Sequence, residues 1–135
     1  MERIDDKINE IEGFLEELST IIPSSIEQYK TQFEKRAACE RYIDKIVEAV
    51  EDLAFLIIKA KKISPPEEGR EVFPTLASAG IISEILAARL RDAKGLRNRL
   101  SHQYGKIDNE IVFEALSNEF EIDINEFIDS IKKNK

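Results

Sequence analysis

The sequence predicts an all-α protein, an up-and-down bundle of four to five helices, and three observations carry that prediction. Apolar residues recur at steps of three and four along most of the 135-residue chain, the spacing that lines one face of an α-helix. Turn-formers are scarce, at 5 Gly and 4 Pro, whereas a β-sandwich or barrel turns roughly every 8–12 residues. Hydrophobic residues make up 42% and charged residues 35% of the chain, which allows one core of ordinary domain size and a solvated surface. A single domain over residues 1–135 is expected.

The first helix is expected from Glu2 to Ile22, where Ile4, Ile8, Ile11, Leu15, Leu18 and Ile22 form one seam. Pro23 stops it, because proline disfavours helix at the residue before it and lacks a donor. Ser24 and Ser25 offer an N-cap, with Glu27 in capping-box spacing from Ser24. The second helix is expected from about Ser25 to Lys62, carried by Ile43, Ile46, Val47, Val50, Leu53, Ala54, Ile57 and Ile58. It would run roughly 55 Å at about 1.5 Å per residue, so it is expected to bend or to stand partly exposed. A homodimer packing a pair of such helices would bury its aliphatic excess. Cys39, midway, is expected to be a small core residue.

Ser64-Pro65-Pro66-Glu67-Glu68-Gly69 is expected to be a loop. A short helix follows from about Pro74 to Ala79, with Gly80 as its stop. Ile81, Ile82, Ile85, Leu86 and Leu90 build another to about Lys94, and Gly95 marks a kink or a fresh start. Leu96–Tyr104 reads as helix, ended by Gly105. Asp108 caps the last helix, which carries Ile111, Val112, Ala115, Leu116 and Phe120. Its apolar face continues through Ile124, Phe127, Ile128 and Ile131 after a break near Ile122–Asn125.

Composition narrows the function classes. No apolar run approaches the roughly 18–20 residues of a membrane span, and the acidic, periodic N-terminus does not read as a signal peptide. The single Cys excludes an intramolecular disulfide and fits a reducing compartment, so a cytoplasmic protein is expected. One Cys and one His also exclude a one-chain zinc site of Cys and His ligands. Net charge is −7, which by itself speaks against nucleic acid. The total hides an asymmetry. Arg89–Lys106 carries six bases (Arg89, Arg91, Lys94, Arg97, Arg99 and Lys106) against Asp92 alone, a local +5, which leaves −12 on the other 117 residues. The chain thus reads as an acidic body with one basic stripe.

Inside that stretch stands Arg97-Asn98-Arg99-Leu100-Ser101-His102-Gln103-Tyr104, with the chain's one His and one of its 3 Tyr. A lone His near a helix end is often structural, since its charged form suits the C-terminal dipole. The neighbours change that reading. R-N-x-x-x-H-x-Y late in a small helical bundle resembles the signature of the HEPN superfamily, and specifically of the HepT toxins. In that family four to six residues separate Arg from the following His, with Asn commonly right after the Arg and, in HepT, Tyr two beyond the His. Arg97, Asn98, His102 and Tyr104 match those positions. The second helix, the Phe73-Pro74 and Gly80-Ile81-Ile82 segments and the tail Tyr104–Asp108 extend the likeness over about residues 1–133, with the motif segment at about 95–106.

The resemblance implies a metal-independent endoribonuclease without cofactor, the toxin of a toxin–antitoxin pair. It implies a homodimer whose two motifs share one cleft. It implies a minimal nucleotidyltransferase antitoxin that transfers AMP from ATP to the motif tyrosine, here Tyr104. The chemistry asks for such residues. Cutting RNA without metal requires deprotonation of the 2′-OH, stabilisation of the phosphorane charge and protonation of the leaving 5′-oxygen. His suits both proton steps near neutrality, and one chain holds a single His, so two chains supply the pair. Two Arg97 guanidiniums would serve the non-bridging oxygens.

On a regular helix Asn98 and His102 share a face, whereas Arg97 lies about 140° from His102 at roughly 100° per residue. Asn98 is the natural orienter of the imidazole. Arg97 reaches around, or the helix is irregular near Gly95, or Arg97 serves His102 of the second copy. Arg89, Arg91, Lys94, Arg99 and Lys106 are candidates for RNA phosphate contacts, or else a solvated face paired to acids. Two other functions stay open. One is a non-catalytic HEPN helper that binds a nucleotidyltransferase or a nucleotide. The other is a plain helical dimerisation domain in which Arg97 and His102 pair with carboxylates.

Overall fold

In a computed structural model, residues 2–67, 72–102 and 107–135 are described. Among them are seven helices and no strand: α1 (Glu2–Ile21), α2 (Ile26–Thr31), α3 (Phe33–Ala60), α4 (Val72–Ser78), α5 (Glu84–His102), α6 (Asn109–Ser117) and α7 (Phe120–Asn134). The all-α expectation holds, and the higher count comes from a break inside the expected long second helix and from a break in the last segment a few residues earlier than expected.

The first break is at Gln32. The expected helix from Ser25 to Lys62 is two helices, because Gln32 sits at φ −88, ψ 80 and ends α2. Its N–H still donates to the Gln28 carbonyl at 2.8 Å, and Arg36 Nη1 donates to the Lys30 carbonyl at 2.7 Å. The turn lets Tyr29 bury completely and stack on Phe113 of α6, with ring centroids 5.5 Å apart. The α2 cap is Ser25, whose Oγ accepts from the Gln28 N–H at 3.2 Å, while Gln28 Oε1 accepts from the Ser24 N–H at 3.1 Å and the Ser24 hydroxyl at 2.9 Å. The reciprocal partner is therefore Gln28, not the expected Glu27.

The second break is at Asn118–Glu119 rather than near Ile122–Asn125. Asn118 donates its side-chain amide to the Glu114 carbonyl at 3.0 Å, and α7 restarts with Phe120 buried. Gly95, by contrast, interrupts nothing: α5 is continuous from Glu84 to His102.

The core follows the expected seams. Ile4, Ile8, Ile11, Leu15 and Leu18 of α1 are buried against the apolar positions of α3. The two helices run antiparallel, since Glu17 meets Tyr42 and Lys7 meets Asp52. Lys45 Nζ lies 4.5 Å from the Phe14 ring centroid across the same seam. α5 and α7 are antiparallel too, with Arg89 opposite Asp123 and Asn134 donating to the Ile81 carbonyl. Phe73 of α4 meets Phe127 of α7 edge-on at 6.0 Å. Cys39 is fully buried, and burial pushes its thiol up to about 11, as befits a core residue.

Two helix ends use the same device with different residues. Gly80 ends α4 at φ 78, with Ile81 N–H returning to the Leu76 carbonyl at 3.0 Å. Lys62 ends α3 at φ 56, with Ile63 N–H returning to the Ile58 carbonyl at 3.0 Å. Both are Schellman closures around a left-handed residue. A Cβ at Gly80 would meet nothing within 4 Å, so its substitution is opposed by conformation alone. Gly80→Ala should destabilise the fold and Lys62→Gly should stabilise it, each by about 1 kcal/mol, as read from opposite shifts of the urea unfolding midpoint.

Candidate active site

The motif lies on the C-terminal half of α5. Ser83 starts that helix, its Oγ accepting from the Leu86 N–H at 3.0 Å, and Leu86, Ala87, Leu90 and Leu96 anchor it in the core. The buried edge fixes where every other residue of the helix points.

Arg97 points to α3. Its Nη2 donates to Glu51 Oε1 at 2.8 Å, its Nη1 lies 3.6 Å from Asp44 Oδ1, and its Nε donates to Asn98 Oδ1 at 3.1 Å. The side chain is 18% exposed. Glu51 also holds Lys94, whose Nζ sits 2.9 Å from Oε2. Asp44 in turn is held by Arg41 at 2.7 Å. Three cations and two carboxylates therefore alternate across the α3–α5 groove.

Asn98 and His102 are exposed. They stand one turn apart on α5, with His102 the last residue described there. Among the described residues no hydrogen bond joins Arg97 to His102. Tyr104 and Lys106 lie outside the described residues, and so does Gly105, the expected helix stop.

The remaining bases do not form one stripe. Arg91 is exposed beside Pro74 and Ser78 of α4. Arg89 and Arg99 face the other side, where α5, α6 and α7 enclose a cavity of about 330 Å³. Arg89 Nη1 lies 3.8 Å from Asp123 Oδ1 and 3.9 Å from Glu126 Oε2 there. Glu114, Glu119 and Asp92 also line it, over a floor that includes Leu96 and Phe120. Carboxylates outnumber bases in this cavity, so it is not an anion site.

Sequence reasoning missed Glu51 and Asp44. They lie on α3, 46 and 53 residues before Arg97, and no local pattern joins them to it. A signal was present: Asp44, Glu48 and Glu51 fall at i, i+4 and i+7, an acidic stripe on a helix otherwise rich in apolar residues.

Asp123 is 7% exposed. Burial raises its carboxyl above the ordinary range, Arg89 opposes this, and Glu119, Glu126 and Asp92 add to it. A carboxyl raised in the folded state is disfavoured as the anion, so the cost is full at neutral pH and vanishes as the unfolded group also takes its proton. Asp123→Asn should therefore unfold at higher temperature than wild type at pH 7. That advantage should shrink to nothing as pH falls below the ordinary carboxylate range, which thermal melts across a pH series would follow.

Comparison with known proteins matches the same chain to a HepT-like family model, described as ribonuclease HepT-like, over residues 4–131. A tRNA nuclease HepT of Aphanizomenon flos-aquae is 31% identical over 114 residues, 84% of this chain and 78% of that one. An mRNA nuclease HepT of Shewanella oneidensis is 30% identical over 105 residues, 78% of each. Among solved structures, a tri-AMPylated HEPN toxin of Shewanella oneidensis in complex with its MNT antitoxin superposes with a TM-score of 0.87. It is 27% identical, and the match covers 96% of both chains. A toxin–antitoxin structure with AMP-PNP gives a TM-score of 0.89 at 26% identity, covering 98% of this chain and 99% of that one.

Proposed function

Since the chain belongs to the ribonuclease HepT-like family, we propose that it is a metal-independent endoribonuclease, the toxin of a cytoplasmic toxin–antitoxin pair. Two copies of this one-domain chain build the cutting site between them. A minimal nucleotidyltransferase antitoxin silences it by transferring AMP to Tyr104.

The observation that carries this reading is the split of the motif across α5. Arg97 is turned to Glu51 while Asn98 and His102 face solvent. One chain thus offers one exposed imidazole and a guanidinium on another face. Pairing α5 with its symmetry mate brings two imidazoles to one phosphate. One His102 takes the proton from the 2′-OH as that oxygen attacks phosphorus. The other gives a proton to the departing 5′-oxygen, leaving a 2′,3′-cyclic phosphate and a 5′-OH. Arg97 of either copy stabilises the equatorial oxygens. Asn98 orients the imidazole or the guanidinium it already accepts from. AMP on Tyr104, two residues from His102, would set a phosphate where the RNA phosphate must sit. The MNT antitoxin and the AMP groups of the similar Shewanella toxin support that part of the reading.

The ion pairs of Arg97 also favour a second reading, a structural dimerisation domain in which the motif merely ties α5 to α3. The two readings separate on His102, which has no role in the second. His102→Ala should lower RNA cleavage by about 100-fold or more without lowering the unfolding temperature. Mixed dimers of Arg97→Ala and His102→Ala chains should regain part of the activity that each lacks. Silence of every mixed dimer would count against shared roles. Incubation with the cognate transferase and ATP should add AMP to Tyr104 and none to Tyr104→Phe, as read by mass spectrometry.

A further inference from the structure

We propose that Glu51 is the positioning residue for Arg97, so that the guanidinium which meets the RNA phosphate is placed by α3 and not by its own helix. The inference rests on the function proposed above and names a residue outside the motif. An arginine carries a long, rotamer-rich side chain, and a guanidinium stabilises a phosphorane only if it waits in the right place. Arg97 is held at three nitrogens. Glu51 takes one Nη2 proton at 2.8 Å, Asn98 takes the Nε proton at 3.1 Å, and Asp44 stands 3.6 Å from Nη1.

Glu51 is itself fixed. Its second oxygen binds Lys94 at 2.9 Å, and its side chain is 17% exposed. It also rises from the stretch of α3 whose neighbours Val47, Val50, Leu53 and Ala54 are buried. Its backbone is therefore held by the core and its carboxylate by two cations. The two assigned hydrogen bonds use two of the five guanidinium N–H groups, so donors remain for two phosphate oxygens. Lys94 offsets the charge of Glu51, and with Arg41 the cluster of Arg41, Asp44, Glu51, Lys94 and Arg97 keeps a net +1. The site stays attractive to a phosphate while its key cation is tethered.

Glu51→Gln is nearly isosteric. It keeps one acceptor for Arg97 but loses the charge and sets an amide N–H₂ against Lys94. Cleavage by the full-length dimer should lose about 10- to 100-fold in kcat, with KM little changed. In an Arg97→Lys background, whose ammonium lacks the fork that Glu51 holds, the same change should cost little more. A second readout does not need turnover. The Nη–H resonances of Arg97, one of which Glu51 accepts, should be protected from solvent exchange in wild type and lost to it in Glu51→Gln. The inference is overturned by an equal kcat loss in both backgrounds, by a KM rise with kcat intact, by a fall in folded fraction that accounts for the loss, or by an unchanged Nη–H signal. If wild type and His102→Ala leave RNA equally intact while that signal responds to Glu51→Gln, the ribonuclease reading fails and the tether stands.

Discussion

The structure depends on α3, the helix against which most of the others pack. Its 28 residues include ten that are buried, from Cys39 to Ile58, and α1, α2, α4 and α5 all pack on it. A helix so enclosed has little freedom to shift, and whatever projects from it is located by the whole core. Asp44 and Glu51, on one polar stripe of it, meet cations of α5. The apolar face of α5 docks it on the bundle through Leu86, Leu90 and Leu96. The acidic stripe then sets how its cations are distributed. A partly buried carboxylate needs a partner. Here Glu51 has two, one of which is the motif arginine.

This arrangement reconciles an acidic protein with an anionic substrate. Outside Arg89–Lys106 the chain carries −12, and a uniform potential of that sign would turn RNA away. The cations of α5 do not act as a bloc. Arg89 and Arg99 stand among the carboxylates around the α5–α6–α7 cavity, Lys94 and Arg97 among those of α3, and Arg91 faces solvent. Local geometry at a few side chains, not a broad basic surface, has to hold the phosphate.

Much of this was legible in the sequence. The α1 seam at Ile4, Ile8, Ile11, Leu15 and Leu18, the stop at Gly80, the cap at Asp108 and the face Ile124, Phe127, Ile128 and Ile131 all follow from periodicity and backbone chemistry. The break at Gln32 was not legible, because neither Gly nor Pro marks it. What opens the helix there is tertiary, the burial of Tyr29 against Phe113 some eighty residues on. Asn118 likewise ends α6 without a strong local breaker. The scatter of the basic residues was half legible. Helical spacing already separates Arg97 from His102, but only the packed structure says that Arg97 turns to Glu51. Long-range ion pairs leave no local pattern, and a stripe of acids on α3 looks like any solvated face until α5 lies across it.

The same logic bears on substrate choice. Two relatives of about equal similarity are named as a tRNA nuclease and an mRNA nuclease, so a shared fold of this kind does not dictate which RNA is cut. The half-buried parts of the proposed site are poor candidates for the difference. Glu51, Arg97 and Lys94 are bound to one another, and altering one unpairs the rest. The exposed parts are free to vary: Asn98 and His102 at the end of α5, and Arg91 beside α4. A side chain held by the core can supply the chemistry common to any phosphodiester, because every RNA presents the same phosphate. Discrimination between RNAs must come from shape and from bases around the scissile bond, which only the rim can touch. An interior that fixes the cation and a rim that is left to change is the division of labour expected of a small bundle whose reaction stays constant while its target differs.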